Sequence, residues 1–158
     1  MAAPTSTTHH TPHRYVAPGR FDAWFNRVVA ALARRGVGVA GARELGVVGR
    51  RSGQVRTTVV NVLALDGERY LVAPRGHTEW VRNLRAAGKG TLRVGRRVER
   101  FAAAEVVDVE AKTVVIRSYL ERWAWEVGRF FDGIDASSSD DELAAVADSF
   151  PVFRLALA

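Results

Sequence analysis

Apolar residues early in the chain recur with helical spacing. Phe21, Trp24, Phe25, Val28, Val29 and Leu32 form one stripe of an amphipathic helix, which Gly36 stops. After Gly36 the period shortens. Glu44 to Val48, Thr57 to Leu65, Arg69 to Ala73, Thr91 to Val94 and Val98 to Val109 are rich in β-branched and aliphatic residues and punctuated by glycine, which predicts strands. Asp66-Gly67 lies between two of these runs, and a type I′ turn needs the positive φ that Asp and Gly tolerate. A second hairpin is expected at Gly95-Arg96-Arg97. Val59 to Leu65 is apolar on both alternating faces, as in a strand covered on both sides. Consecutive hairpins make antiparallel pairing the economical arrangement, and a small closed barrel follows from it.

Helical spacing returns twice. Trp80, Leu84 and Ala87 share a face over Glu79 to Ala87, with Thr78 as N-cap and Gly88 as stop. Ile116, Leu120, Trp123, Val127 and Phe130 predict a long helix over roughly Lys112 to Phe131. Ser139 and Glu142 have capping-box spacing ahead of Leu143, Val146 and Ala147, and Pro151 introduces a last strand, Val152 to Leu157. The fold class is therefore α+β: an antiparallel barrel with an N-terminal helix, a short helix in the barrel connection and C-terminal helices. Residues 1–19, rich in Thr, Pro, Ala and His, read as a flexible arm; residues 20–158 read as one domain.

Composition narrows the chemistry. The 158 residues are 47% hydrophobic and 25% charged, the balance of one ordinary domain with room for a core. The formal net charge is +6, and all but two of the 23 basic residues are arginine, so anions would meet planar, permanently charged forks. The absence of Cys excludes disulfides, thiolate nucleophiles and thiolate-bound metals. No run approaches the roughly 20 apolar residues of a membrane helix, and the start of the chain lacks a signal-peptide core, which makes a cytoplasmic protein the default. His9, His10 and His13 sit in the arm without a thiol or carboxylate beside them and read as a solvated tail.

Two constellations carry chemistry. In Gly49-Arg50-Arg51-Ser52-Gly53-Gln54-Val55-Arg56, glycines at both ends let backbone N–H groups converge on an anion. Ser52 adds a hydroxyl, and Arg50, Arg51 and Arg56 offer bidentate contacts to phosphate. The plain alternative is an exposed basic turn. In Pro74-Arg75-Gly76-His77-Thr78-Glu79-Trp80-Val81-Arg82-Asn83-Leu84, Asn83 lies three residues from Trp80. Asn83 reads either as a ligand contact beside an indole wall or as a satisfier of a loop carbonyl under a core plug, the second being the commoner arrangement. His77, the one histidine outside the arm, reads as a capping or surface residue rather than a proton relay. No Ser-His-Asp set, zinc motif or glycosidase-like carboxylate pair is present, so an enzyme built on this chain would let a cofactor carry the chemistry.

The ordered set Gly49-Arg50-Arg51-Ser52-Gly53 with Arg56, Tyr70-Leu71-Val72-Ala73-Pro74, Trp80 to Gly88 and Pro151-Val152-Phe153-Arg154-Leu155 resembles the deazaflavin-dependent nitroreductase family of actinobacteria, closely over residues 40–109. The resemblance implies a split β-barrel that binds the 8-hydroxy-5-deazaflavin coenzyme, coenzyme F420, and passes its hydride to a quinone, activated alkene or nitro-compound. It places Arg50, Arg51, Ser52, Gly53 and Arg56 at the phosphate, Thr57 and Thr58 beside the ring, Ala73 flanking it, and Trp80 and Asn83 on the closing helix. Val59 and Arg75 depart from the family pattern, standing where many relatives have proline and an aromatic residue. No catalytic side chain and no metal is expected. Tyr119, Trp123, Trp125 and Trp24 are candidates for an acceptor pocket that fit a core better. Flavin mononucleotide in the same barrel and a non-catalytic carrier of the deazaflavin remain the alternatives. Nucleic acid is disfavoured, because the aromatics fall on predicted buried stripes. A homodimer is an expectation from split barrels that pair along a sheet.

Overall fold

The computed structural model describes residues 41–158. The expected N-terminal helix, the arm and its histidines, and Trp24 lie outside these residues. Six strands, β1 (Ala42–Val48), β2 (Val55–Leu65), β3 (Glu68–Val72), β4 (Lys89–Val94), β5 (Arg97–Glu105) and β6 (Val152–Leu157), close into a barrel in the order β1-β2-β3-β6-β5-β4. Every pairing is antiparallel. Closure leaves no unpaired edge among these strands. Among the described residues three α-helices accompany them: α1 (Glu79–Ala87) between β3 and β4, then α2 (Val109–Val127) and α3 (Asp140–Val146) between β5 and β6.

The local signals act as expected at several joints. Asp66 (φ 51°) and Gly67 (φ 79°) make the tight turn that sets Leu65 opposite Glu68. Helix α1 ends at Gly88, in the left-handed region, whose N–H donates to the Leu84 carbonyl at 2.8 Å. Ser139 and Glu142 form both halves of the capping box that starts α3.

Alternation along the strands separates two cores. Leu45, Val47, Val60, Leu71, Leu92, Phe101, Phe153 and Leu155 pack together with Val81 and Leu84 of α1. The opposite parity, Leu63, Val72 and Val152, packs under α2 and α3 against Ile116, Tyr119, Leu120, Trp123, Leu143 and Phe150. Phe131 stacks on Phe150 at 4.2 Å and seals that layer. β2 supplies both cores, which explains its doubly apolar sequence.

Three expectations need correction. The strand predicted to reach Val109 ends at Glu105, because Asp108 accepts a hydrogen bond from the Ala111 N–H at 2.8 Å and begins a helix at Val109. The long helix starts three residues before its predicted Lys112 and stops at Val127. Its backbone leaves helical geometry at Trp123 (φ −130°, ψ 17°), and a 3₁₀ turn, Gly128–Phe130, follows. Thr78 holds the N-cap position of α1, but its side chain makes no capping bond and its Oγ1 is buried without a partner among the described residues.

Candidate functional site

A cavity of about 650 Å³ opens where the β1–β2 turn, the β3–α1 loop and the C-terminal end of α2 meet. Its lining includes Arg50, Arg51, Ser52, Arg56, Thr57, Thr58, Ala73, Trp80 and Asn83, so both constellations face one space. Gly53 does not line it. With φ 68° it lets the turn close, its N–H reaching the Gly49 carbonyl at 2.9 Å.

The turn is built differently from the expected anion cradle. The Gly49 N–H is spent on the Gln54 carbonyl (2.8 Å), the Gln54 N–H on Ser52 Oγ (3.3 Å) and the Arg50 N–H on Asn83 Oδ1 (3.2 Å). Four backbone donors, those of residues 49, 50, 53 and 54, are therefore satisfied internally. Ser52 Oγ, having accepted, keeps its hydrogen to donate. A Cβ on Gly49 would stand 2.8 Å from Ser52 Oγ and 3.2 Å from the Gln54 carbonyl oxygen, so a side chain there would displace the serine hydroxyl.

The arginines divide. Arg50 donates through Nη1 to Asn83 Oδ1 and to Glu79 Oε2, both at 2.8 Å, and braces the turn against α1. Hydrogen bonding from Arg50 holds the Glu79 carboxyl below the usual carboxylate range, helped by the Arg50 charge and by Arg82. Arg51 and Arg56 make no side-chain hydrogen bond or ion pair among the described residues, while both line the cavity. Asn83, only 5% exposed, accepts from the turn instead of satisfying a loop carbonyl. Sequence reasoning named both partners but not their bond, because 33 residues separate them.

Apolar and aromatic groups form the rest of the wall. Trp80 is half-buried, lies 6.0 Å from Phe153 and lines the cavity, so it is core and wall at once. Ala73 is buried, with its N–H on the Pro151 carbonyl at 2.9 Å. At the other end stand Tyr119, Trp125, Glu126 and Phe130. Burial pushes the Tyr119 phenol far up, so it stays protonated; its neighbour Asn61 also donates to Glu126 Oε2 at 3.3 Å. Trp125 corrects the expectation of a core residue: it is 75% exposed, whereas Trp123 is fully buried and absent from the lining. Trp125 lies two residues from Trp123 and off the Ile116, Leu120, Trp123, Val127 stripe, so helical spacing is the signal that could have placed it on the outer face. Arg75 and Arg129 both lie over the Phe130 ring, at 5.4 and 4.7 Å.

His77 is also misread by its sequence context. It is 7% exposed and bonded at both ring nitrogens, neither a cap nor a surface group. No group of three or more potential metal-ligating side chains occurs among the described residues, and no described helix is long and apolar enough to cross a membrane.

A family model described as F420H(2)-dependent quinone reductase matches residues 22–125. Among solved structures, one described as a domain-swapped dimer is 17% identical over 82% of this chain and 92% of its own, with a TM-score of 0.53. The F420-H2 dependent reductase FDR-A is 18% identical over 75% of this chain and all of its own, with a TM-score of 0.51. The conserved hypothetical protein Rv2991 from Mycobacterium tuberculosis is 18% identical over 80% and 78%, also with a TM-score of 0.51. At such identities these likenesses carry the fold. The search of curated proteins gives no match.

Proposed function

Since the chain belongs to the F420H(2)-dependent quinone reductase family, we propose that its cavity holds coenzyme F420 across the arginine turn and α1 and reduces a quinone or related acceptor at the end lined by Tyr119 and Trp125. Family membership makes it an F420H2-dependent reductase and favours the deazaflavin over flavin mononucleotide.

The residues fit the group. A cavity of about 650 Å³ is in the range that takes a tricyclic ring. Arg51 and Arg56, uncommitted among the described residues, and the hydrogen of the Ser52 hydroxyl suit a phosphate. Thr57, Thr58 and Asn61 offer polar contacts along the strand, and Val60, Ala73 and Trp80 offer apolar walls. When bound, the reduced coenzyme supplies the hydride. The chain's own residues orient and enclose: Arg50 and Asn83 set the turn, Trp80 excludes water, and Tyr119 presents a neutral phenol to the cavity. Within this reading residues 20–158 act as one unit and residues 1–19 as an appended arm, which the match beginning at residue 22 supports. We place the protein in the cytoplasm and leave a homodimer as part of the proposal; neither nucleic acid nor metal enters it.

The carrying observation is that two uncommitted arginines and the Trp80–Asn83 face of α1 line the same cavity. Stopped-flow mixing of protein and reduced coenzyme with a panel of quinones tests it. Saturable binding with acceptor-dependent oxidation is expected; binding without turnover on any acceptor would make the protein a carrier, and tight flavin mononucleotide binding with none of the deazaflavin would overturn the cofactor.

A further inference from the structure

Away from the cavity, on the other side of α1, a polar cluster centred on the buried His77 joins four elements. The His77 Nδ1 lies 2.9 Å from Arg85 Nη1, and the His77 Nε2 lies 3.2 Å from the Asp148 carbonyl oxygen, in the 3₁₀ turn Ala147–Ser149 ahead of β6. A guanidinium can only donate, so Nδ1 must accept, and the ring hydrogen must sit on Nε2, where it donates to the carbonyl. Only a neutral ring satisfies both bonds. Arg85 is anchored in turn by a two-point bond to Glu105 of β5, at 2.6 and 2.7 Å.

This ring stands beside the N-cap of a helix that lacks a capping bond of its own. Thr78 caps α1 in backbone geometry only, and the next turn carries Glu79, Trp80 and Asn83, the residues that hold the arginine turn and wall the cavity. We propose that His77 is a positioning residue for the coenzyme site: as the neutral Nε2–H tautomer it fixes the start of α1, and through Asn83 and Glu79 the arginine turn, and it releases that hold when it takes a second proton. The inference rests on the proposed function, since it concerns the affinity of that same site.

The surroundings give the direction. A second proton on Nδ1 would face the Arg85 donor across a distance that now accommodates one hydrogen, between two like charges. The positive end of the α1 dipole is adjacent and disfavours the cation as well. Lys112 of α2, buried to 5% exposure, adds positive charge. Among the described residues, those opposing these are the Glu105 carboxylate, already doubly bonded to Arg85, and the Asp148 side chain, exposed and 3.7 Å from Lys112 Nζ. Neutral His77 is thus built into the fold, and the coenzyme binds best above the histidine range and less well below it.

The test uses the full chain. Coenzyme titrations at pH 8 and at about 5.5, bracketing the ordinary histidine value near 6.5, compare the native protein with His77→Gln, which keeps one donor and one acceptor and never charges. The coenzyme's own phosphate and the histidines of the arm titrate alike in both proteins, so the difference isolates residue 77. The native protein should lose about fivefold more affinity on acidification to about pH 5.5 than the variant, the change carried by a free value near 6.5 and a bound value one unit lower. Parallel pH curves would assign His77 a merely structural part and overturn the proposal. An imidazole nitrogen NMR spectrum of the coenzyme-free native protein at pH 8 should show His77 neutral with its hydrogen on Nε2; the Nδ1–H tautomer or a charged ring would overturn it independently. The NMR result needs no coenzyme, so its failure sinks the His77 assignment alone, whereas native protein that binds no coenzyme sinks the proposed function and this inference with it.

Discussion

The two flanks of α1 use the same side chain for opposite ends. On one flank Arg85 is consumed by Glu105 and His77, and its neighbours pair among themselves until the cluster is closed. On the other, Arg50 is consumed by Glu79 and Asn83, while Arg51 and Arg56 stand over a cavity without an intramolecular partner among the described residues. Arginine count therefore says little about ligand binding. What separates a brace from a binding group is whether the fold has already supplied the counter-charge.

The largest expected contrast comes from emptying the open flank. Arg51→Ala and Arg56→Ala should each weaken coenzyme binding by about 1.5–3 kcal/mol, the value of a charged hydrogen bond, with thermal melting unchanged. Calorimetric titration beside a melting curve reads both, and a large drop in Tm with intact affinity would reverse the roles of the flanks.

The closed flank should respond in stability. Arg85→Ala should cost about 1–2 kcal/mol in denaturant unfolding, the low end for such a pair because water reaches both partners. Hydrogen bonding from Arg85 holds the Glu105 carboxyl below its usual range against the opposing effect of burial. Its contribution is consequently full above the unfolded carboxylate value, near 4.3, and is lost as pH falls through the lower folded value. Glu105→Gln should be less stable than the native protein at pH 7, with the gap closing in acid. A gap that persists at the acid end would mean that packing, not charge, holds this flank.

The smallest effect is expected at the hinge between the flanks. Glu79 is exposed, so Glu79→Gln should leave Tm unchanged and alter coenzyme affinity less than about threefold, Asn83 still holding Arg50. A larger loss would show that the ion pair, and not the amide, sets the turn.

Legibility in the sequence followed the range of the interaction. The bounds of α1, the Asp66-Gly67 turn, the capping box at Ser139 and the limits of β6 rest on residues a few positions apart, and all were readable. The strand-to-helix boundary after Glu105 was not, because Val106, Val107 and Val109 extend a β-branched run that only the Asp108 cap interrupts. The site divides in the same way. The glycines and arginines of the turn announce an anion site locally, but which arginine is neutralised depends on Glu79 and Asn83, far along the chain. Trp123 lies on the Ile116, Leu120, Trp123, Val127 stripe and is buried, whereas Trp125, two residues on, falls on the opposite helix face and is exposed, so helical spacing separates the two indoles that composition alone groups together. His77 looked like a surface residue because its partners, Arg85 and the Asp148 carbonyl, meet it only through the fold of α1 against the turn before β6.

The most direct test of the open flank is a cycle in which ligand and protein are both cut back. The affinities of coenzyme F420 and of the same deazaflavin lacking its phosphate and tail are compared in the native protein and in the Arg51→Ala, Arg56→Ala double variant. The native protein should prefer the phosphorylated form by about 3 kcal/mol or more, and the double variant should lose most of that preference while binding the bare ring as before. An undiminished preference in the double variant would place the phosphate elsewhere and contradict the assignment of the turn.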